Sequence, residues 1–219
     1  MATKDYCTFI KVGQLNYMEK LLHEGEVFCK PFKYFTEAEQ ESLRHDKYEG
    51  AAFITQIRNI ELLDPVTEKP FAKATSGQLY YHHPEDKGNI YCLYGIETGS
   101  LDLSDDITKA FNLDMNGLNF GDTAIIIFDP GEFIERVKNE VERNGYVFQY
   151  SPVIYYDEKK HQGELSPFYK SKRFNLQNEI RFWIPNKLDT DLTFRIGDIS
   201  GIAKLLPKND IQKLGYSRI

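Results

Sequence analysis

The chain has few of the residues that build disulfide frameworks, zinc sites or membrane spans. Its three cysteines, Cys7, Cys29 and Cys92, are far apart with no CxxC spacing, so we expect reduced thiols in a cytoplasmic protein and no metal site. No stretch reaches the roughly 18 apolar residues of a membrane span. The N-terminal sequence MATKDYCTFIKV lacks the apolar core of a secretion signal. A cytoplasmic location without a membrane partner is the prediction.

Positive charge and nucleotide-binding motifs are also scarce. The formal net charge is −6, so nucleic acid would need a local basic patch to bind. Neither GxGxxG nor GxxxxGK[ST] occurs, which removes the main signature of Rossmann and P-loop folds. Aromatic residues are plentiful, with 14 Tyr and 15 Phe, and they supply a sizeable core. The length of 219 residues predicts a single domain spanning residues 1–219.

Segments typical of strands follow one another along most of the chain. The apolar run TAIIIF at 123–128 predicts a buried strand, and EIRFWIP at 179–185 predicts another. Helical spacing predicts helices within the segments 13–25 and 130–145, each ended by its last glycine. Because strands mostly follow strands, we predict an α+β fold with a mostly antiparallel sheet.

Two further predictions concern the middle of the chain. The segment DPVTEKPFAKATSGQ, residues 64–78, is rich in turn-forming residues and predicts loops. The runs LYYHHP and NIYCLYGIE flank EDKG, which predicts a hairpin between them.

The first candidate site is the tripeptide QNE, Gln177 to Glu179, at the start of the strand EIRFWIP. Residues two apart in a strand face the same side, so Gln177 and Glu179 are predicted to point together into a cleft. A carboxylate can stabilise positive charge or accept a proton, and an amide can orient a nucleophile. A glutamate that caps a turn or pairs with a lysine is the structural alternative.

Two charged stretches are the other candidates. RHDKYEG holds Arg44, which can bind phosphate, and Asp46 and Glu49, which can hold that arginine. YKSKRF holds Lys170 and Lys172 with Arg173, enough charge to meet a pyrophosphate or a nucleic-acid backbone. Solvated surface ion pairs remain the alternative for both stretches. The adjacent histidines of LYYHHP face opposite ways in a strand and make a poor chelate.

These segments resemble two groups of proteins. The pieces KYFTEAEQESLRHDKYEG and FYKSKRFNLQNEIRF are similar to a family of uncharacterised bacterial and phage proteins with R-D-x-x-E-G and Q-x-E-x-R motifs. Here His45 separates the arginine from the aspartate. QNEIRFWI also resembles the Q/E-x-E element of the ADP-ribosyltransferases, and YCTFIKVGQLNYMEKLLHEGEVF resembles the opening of their DNA-modifying, toxin-like branch.

The resemblance implies an ADP-ribosyltransferase-like fold and NAD as the substrate, without a metal. Glu179 would be the catalytic glutamate and Gln177 would help to select the acceptor. Lys11 falls near the position where the superfamily has an arginine or histidine that grips NAD. Arg44, Lys170 or Lys172 would contact the pyrophosphate. The implied biology is phage–host conflict or a toxin–antitoxin system.

Other functions stay open. A non-catalytic module with the same fold could bind a nucleotide, nucleic acid or a protein partner, and the lysine at position 11 favours this because lysine lacks the planar fork of arginine. A Mg²⁺-dependent nuclease could use the carboxylates of Asp46, Glu49 or Glu179. A structural phage protein that offers only an interaction surface is the last alternative.

Overall fold

The computed structural model describes residues 5–36, 48–82, 87–101, 109–111 and 113–217. Within these ranges the chain forms three α-helices and fifteen strands, together with short 3-10 helices. The α-helices are α1 (Leu15–Glu24), α2 (Phe32–Thr36) and α3 (Pro130–Arg143). The strands are β1 (Tyr6–Gly13), β2 (Glu26–Pro31), β3 (Ala51–Leu63), β4 (Pro70–His82), β5 (Gly88–Glu97), β6 (Lys109–Ala110), β7 (Thr123–Ile127), β8 (Gln149–Pro152), β9 (Ile154–Tyr156), β10 (Gly163–Glu164), β11 (Tyr169–Ser171), β12 (Glu179–Pro185), β13 (Leu192–Arg195), β14 (Ala203–Pro207) and β15 (Gly215–Tyr216).

An eight-stranded sheet forms the centre of the molecule. Its order is β13-β2-β5-β1-β7-β14, and β12 pairs with both β5 and β8. The pairings in this sheet are antiparallel. The short pair β11 and β9 is parallel. The prediction of an α+β fold with a mostly antiparallel sheet is therefore confirmed.

Helices α1 and α3 cover the larger core. In α3, Phe133, Val137 and Val141 are buried at helical spacing, and these side chains join the core cluster that includes β12 and β7 residues. Asp129 caps the start of α3 by accepting a hydrogen bond from the Glu132 N–H at 2.9 Å, which satisfies a donor that the helix itself leaves open. None of the described helices is long and apolar enough to cross a membrane.

The turn after α1 requires a glycine. Gly25 has a φ of 62° and donates its N–H to the Lys20 carbonyl, which is the left-handed ending that glycine adopts without a steric cost. The chain then enters β2 at once, and this short connection fixes α1 beside β1 and β2.

A second sheet, β10-β3-β4, is built on a long hairpin. The Asp64 carboxylate accepts hydrogen bonds from the N–H groups of Val66 and Thr67, and this turn reverses the chain between β3 and β4. Two predictions were wrong here. Residues 70–78 belong to strand β4 instead of loops, and β4 pairs with β3 while β5 lies in the main sheet. Strand β4 is mostly exposed, so it lacks the apolar run that marks a buried strand in a sequence.

Candidate functional site

Two different strands of the eight-stranded sheet, β1 and β2, pair with different parts of β5. Strand β1 pairs with the later part of β5, where Ile10 is opposite Tyr94. Strand β2 pairs with the earlier part, where Lys30 is opposite Ile90. Residues 91–93, between these pairings, help to line a cleft of about 680 Å³. This volume is in the range of pockets that hold small ligands and cofactors.

Lys11 lies on the wall of this cleft. Its Nζ atom donates a hydrogen bond to the Cys92 carbonyl at 2.7 Å and is 4.1 Å from the centroid of the Tyr91 ring. An ammonium group over an aromatic face is attracted by the negative charge of that face. The structure therefore brings a positive charge to the point where β1 and β2 separate.

Glu179 is the first residue of β12 and lines the same cleft. It is 4% exposed. Its Oε2 accepts a hydrogen bond from Lys170 Nζ at 2.7 Å, and its Oε1 accepts one from Arg181 Nε at 2.7 Å. The backbone N–H of Glu179 donates to the Tyr155 hydroxyl at 2.9 Å. The carboxylate is thus held at both oxygens by charged donors.

Gln177 also lines the cleft, but not for the predicted reason. It ends the 3-10 helix Lys172–Gln177, and Asn178 follows in the left-handed region with a φ of 36°. The two-residue alternation of a strand therefore does not apply to Gln177 and Glu179, although both residues line the cleft as expected. Lys170 joins them instead, because its Nζ also donates to Gln177 Oε1 at 2.8 Å.

Arg181 and Glu49 complete a buried cluster of charges. Arg181 is fully buried, and its Nη1 atom donates to Glu49 Oε1 at 2.5 Å and to the Pro167 carbonyl. We define the charge cluster as Glu49, Lys170, Glu179 and Arg181. Arg181 is not among the predicted site residues, although it lies two positions after Glu179, on the same face of the strand.

The charges of the cluster sum to zero, and the opposite charges around Glu179 and Lys170 keep these two side chains ionised. Burial alone would raise the pKa of Glu179, but the Arg181 and Lys170 charges reverse this and bring the pKa well below its usual range. Burial alone would lower the pKa of Lys170, but the carboxylates of Glu179 and Glu49 raise it above its ordinary value. Two positive and two negative side chains leave no net charge in the cluster.

Cys92 lines the cleft as a protonated thiol. Burial raises its pKa to about 12, and the nearby negative charge of Glu179 acts in the same direction. The thiolate is the nucleophilic form of cysteine. At neutral pH, Cys92 is therefore an uncharged wall residue and a poor nucleophile.

The remaining predicted residues are Lys172, Arg44 and Asp46. Lys172 is exposed and is not among the residues that line the cleft. Arg44 and Asp46 lie outside the described residues. Lys11, Lys170, Gln177 and Glu179 are the predicted site residues that the fold brings to one cleft.

The comparisons with known proteins give no separate indication of what the cleft binds. No protein family model, curated protein or solved structure matches the chain. The interpretation therefore depends on what the cleft can bind and on what its charged groups can do.

The cleft combines aromatic surface with a few charged groups. Its walls include Tyr17, Phe28, Tyr34, Tyr91 and Phe120. Apolar and aromatic walls with a small number of placed polar groups are typical of ligand pockets. The ammonium groups can meet anionic parts of a ligand, and the ionised carboxylate of Glu179 can accept a hydroxyl hydrogen bond or oppose a developing positive charge.

Two of the carboxylates considered for a nuclease, Glu49 and Glu179, belong to the charge cluster. Glu49 and Glu179 both accept hydrogen bonds from Arg181, so each is part of an ion pair. Over the described part of the chain, no group of three or more His, Cys, Asp or Glu side chains is arranged to hold a metal ion. The arrangement gives the nuclease alternative no positive support.

Proposed function

We propose that the cleft binds NAD and that the protein is an ADP-ribosyltransferase-like enzyme with Glu179 as its catalytic carboxylate. One observation carries the proposal: Lys11, which is distant in sequence from Gln177 and Glu179, lines one cleft with them, and the cleft has aromatic walls. The same residues are those that the resemblance to ADP-ribosyltransferases selects. A carboxylate beside an amide in a cleft is the pair that the resemblance implies for this chemistry.

The reaction breaks the bond between the nicotinamide nitrogen and ribose C1′. The bonding electrons leave with nicotinamide, and C1′ and the ring oxygen share a positive charge in an oxocarbenium-like state. A nucleophile or water then bonds to C1′ and loses a proton. Glu179 hydrogen-bonds the ribose 2′-hydroxyl and offsets the positive charge, and Gln177 orients the acceptor. Preorganised charge of this kind lowers the barrier most where water is excluded.

The charge cluster assigns Lys170 and Arg181 a positioning role in this proposal. They keep Glu179 ionised and fix its orientation through one bond to each oxygen. A carboxylate has about four acceptor sites, so these two bonds and a hydrogen bond from the Cys92 side chain leave acceptor capacity for a ribose hydroxyl. Because Lys170 binds the carboxylate of Glu179, Lys11 is the residue that we expect to contact the phosphates of the ligand.

A second function is favoured by the same ion pairs. Both oxygens of Glu179 already accept hydrogen bonds from cations, which is the pattern of a structural glutamate. In this alternative the protein binds a nucleotide in the cleft and catalyses no reaction. Lys11 and the aromatic walls then recognise the ligand, and the charge cluster only stabilises the fold.

Nicotinamide release separates the two functions. The purified chain is incubated with NAD, and free nicotinamide is measured by chromatography. We expect release by the wild type and a decrease on the order of 100-fold or more in Glu179→Gln, as for loss of one stabilising group at a transition state. A non-catalytic binder would show a thermal shift with NAD or ADP-ribose but no release.

Glu49→Gln is the matched control for Glu179→Gln. It removes the same charge from the same cluster, yet Glu49 is not among the residues that line the cleft. If Glu179 is catalytic, the Glu49 variant keeps most of its activity per folded molecule. Equal losses in the two variants would assign the effect to disruption of the cluster and contradict a catalytic role for Glu179.

A further inference from the structure

Three exposed aromatic rings line the cleft. Tyr17 is 56% exposed on α1, Phe28 is 43% exposed on β2, and Tyr34 is 40% exposed on α2. Each also lines the cleft. Large rings left in water on a concave wall lose hydrophobic free energy unless a ligand covers them. Their presence on three separate elements indicates a place for a flat, apolar ligand group.

Lys30 organises two of these rings. Its Nζ lies 4.9 Å from the Phe28 ring centroid and 5.0 Å from the Tyr34 ring centroid, and an ion pair with Asp191 at 2.7 Å holds it there. One cation over two rings keeps them in a fixed relation. We define the aromatic end of the cleft as Phe28, Lys30 and Tyr34.

The aromatic end is separated from Glu179 along β5. Glu179 is opposite Tyr94 and Lys30 is opposite Ile90, four residues earlier in the same strand. At about 3.3 Å per residue this is roughly 13 Å along the strand. A ligand that reaches both ends needs two recognition groups joined by a spacer, as in a dinucleotide.

We propose that the aromatic end of the cleft is a base-stacking subsite and that Phe28 and Tyr34 bind the base of a dinucleotide whose other end lies at Glu179. The inference rests on the proposed binding of a nucleotide but not on its cleavage. Aromatic rings stack on any base, because every base has a flat π-face. The subsite therefore distinguishes ligands that carry a base from sugar phosphates that do not.

Binding of ADP-ribose and of ribose 5-phosphate to the full chain tests the subsite by calorimetry. ADP-ribose carries a base but no nicotinamide, so its binding is measured without any cleavage. We expect Phe28→Ala and Tyr34→Ala to weaken ADP-ribose binding by roughly 5- to 150-fold, the effect of losing one stacking ring. Binding of ribose 5-phosphate, which cannot stack, stays at the wild-type level.

The controls keep a ring or remove one elsewhere. Phe28→Tyr and Tyr34→Phe retain the stacking surface and should bind ADP-ribose nearly as well as the wild type. Phe71→Ala removes an aromatic side chain that is 69% exposed on β4, away from the cleft lining, and should have no effect. Thermal unfolding of each variant confirms that it is folded.

Two results would overturn the subsite: alanine variants that bind ADP-ribose as tightly as the wild type, or a wild type that does not bind ADP-ribose. Failure of the proposed enzymatic function gives a different result. In that case nicotinamide is not released, while the ring-dependent binding of ADP-ribose persists.

Discussion

Strands β12 and β4 place similar ion pairs in opposite surroundings. In β12 every residue from Glu179 to Ile184 is buried, and Arg181 is ion-paired beneath the protein surface. In β4 no residue is buried, and Lys73 pairs with Glu61 at 2.8 Å in water. The distances are alike, so burial is the main difference between the two ion pairs.

The free-energy cost of losing one partner of an ion pair differs between the two strands. Charges taken out of water lose their hydration, and only good partners compensate for the loss. Removing one partner therefore leaves a buried charge without compensation. On the hairpin, water replaces a lost partner at little cost. The predictions below test this contrast, beginning with the largest expected effect.

Arg181→Met should destabilise the protein by about 3–5 kcal/mol, the usual cost of breaking a buried ion pair. Two carboxylates, Glu179 and Glu49, lose their shared partner in this variant. The measurement is the free energy of unfolding from urea titration. The double variant Arg181→Met with Glu179→Gln should recover part of the loss, because it leaves one positive and one negative charge. A single-variant loss below about 1 kcal/mol would contradict the importance of the cluster.

Acid should reduce the stability difference between the wild type and Glu179→Gln. The pKa of Glu179 is lowered in the folded protein, so its stabilising effect is fully present above the unfolded value of about 4.3 and is lost as the pH falls towards the folded value. We expect the difference in unfolding free energy to narrow from pH 6 to pH 3, roughly the window that these values set.

Lys172→Ala serves as the control for the acid experiment. This variant removes an exposed lysine and no carboxylate. Its stability difference from the wild type should stay small and nearly constant over the same pH range. A difference for Glu179→Gln that is equally constant would show that Glu179 is not held as a stabilised anion.

Lys73→Ala should have the smallest effect, below about 1 kcal/mol, because exposed ion pairs contribute little. The side chains of Lys73 and Glu61 are 76% and 50% exposed. Urea titration at low and at high salt measures the effect, and salt should reduce it further. A loss comparable with that of Arg181→Met would remove the contrast between the two strands.

Much of the fold could be predicted from local patterns. Three local patterns each predict a buried element. They are the apolar run in β7, the helical spacing in α3 and the apolar side chains in β12. The first part of β4, residues 70–78, could not be predicted in this way, since its small and polar residues are common in loops. Pairing with the long strand β3 determines its conformation, and that pairing is a long-range interaction.

The candidate site was predictable in part. Glu179 and Gln177 were selected for a shared direction in a strand, whereas Lys170 is what joins them. The 3-10 helix before β12 and the left-handed Asn178 carry no strong local signal. Arg181 could have been found, because its alternation with Glu179 places both charges on one face of β12.

The sequence by itself determined the buried strands β7 and β12 and the helix α3, because apolar spacing and turn residues act over a few neighbouring positions. Only the tertiary structure decided that Glu49 meets Arg181, 132 positions away, and that β1 and β2 separate to open a cleft beside β5. Contacts of this range depend on how the strands pair. Local spacing carries no information about that pairing, so the charge cluster and the cleft emerge only when the sheet is assembled.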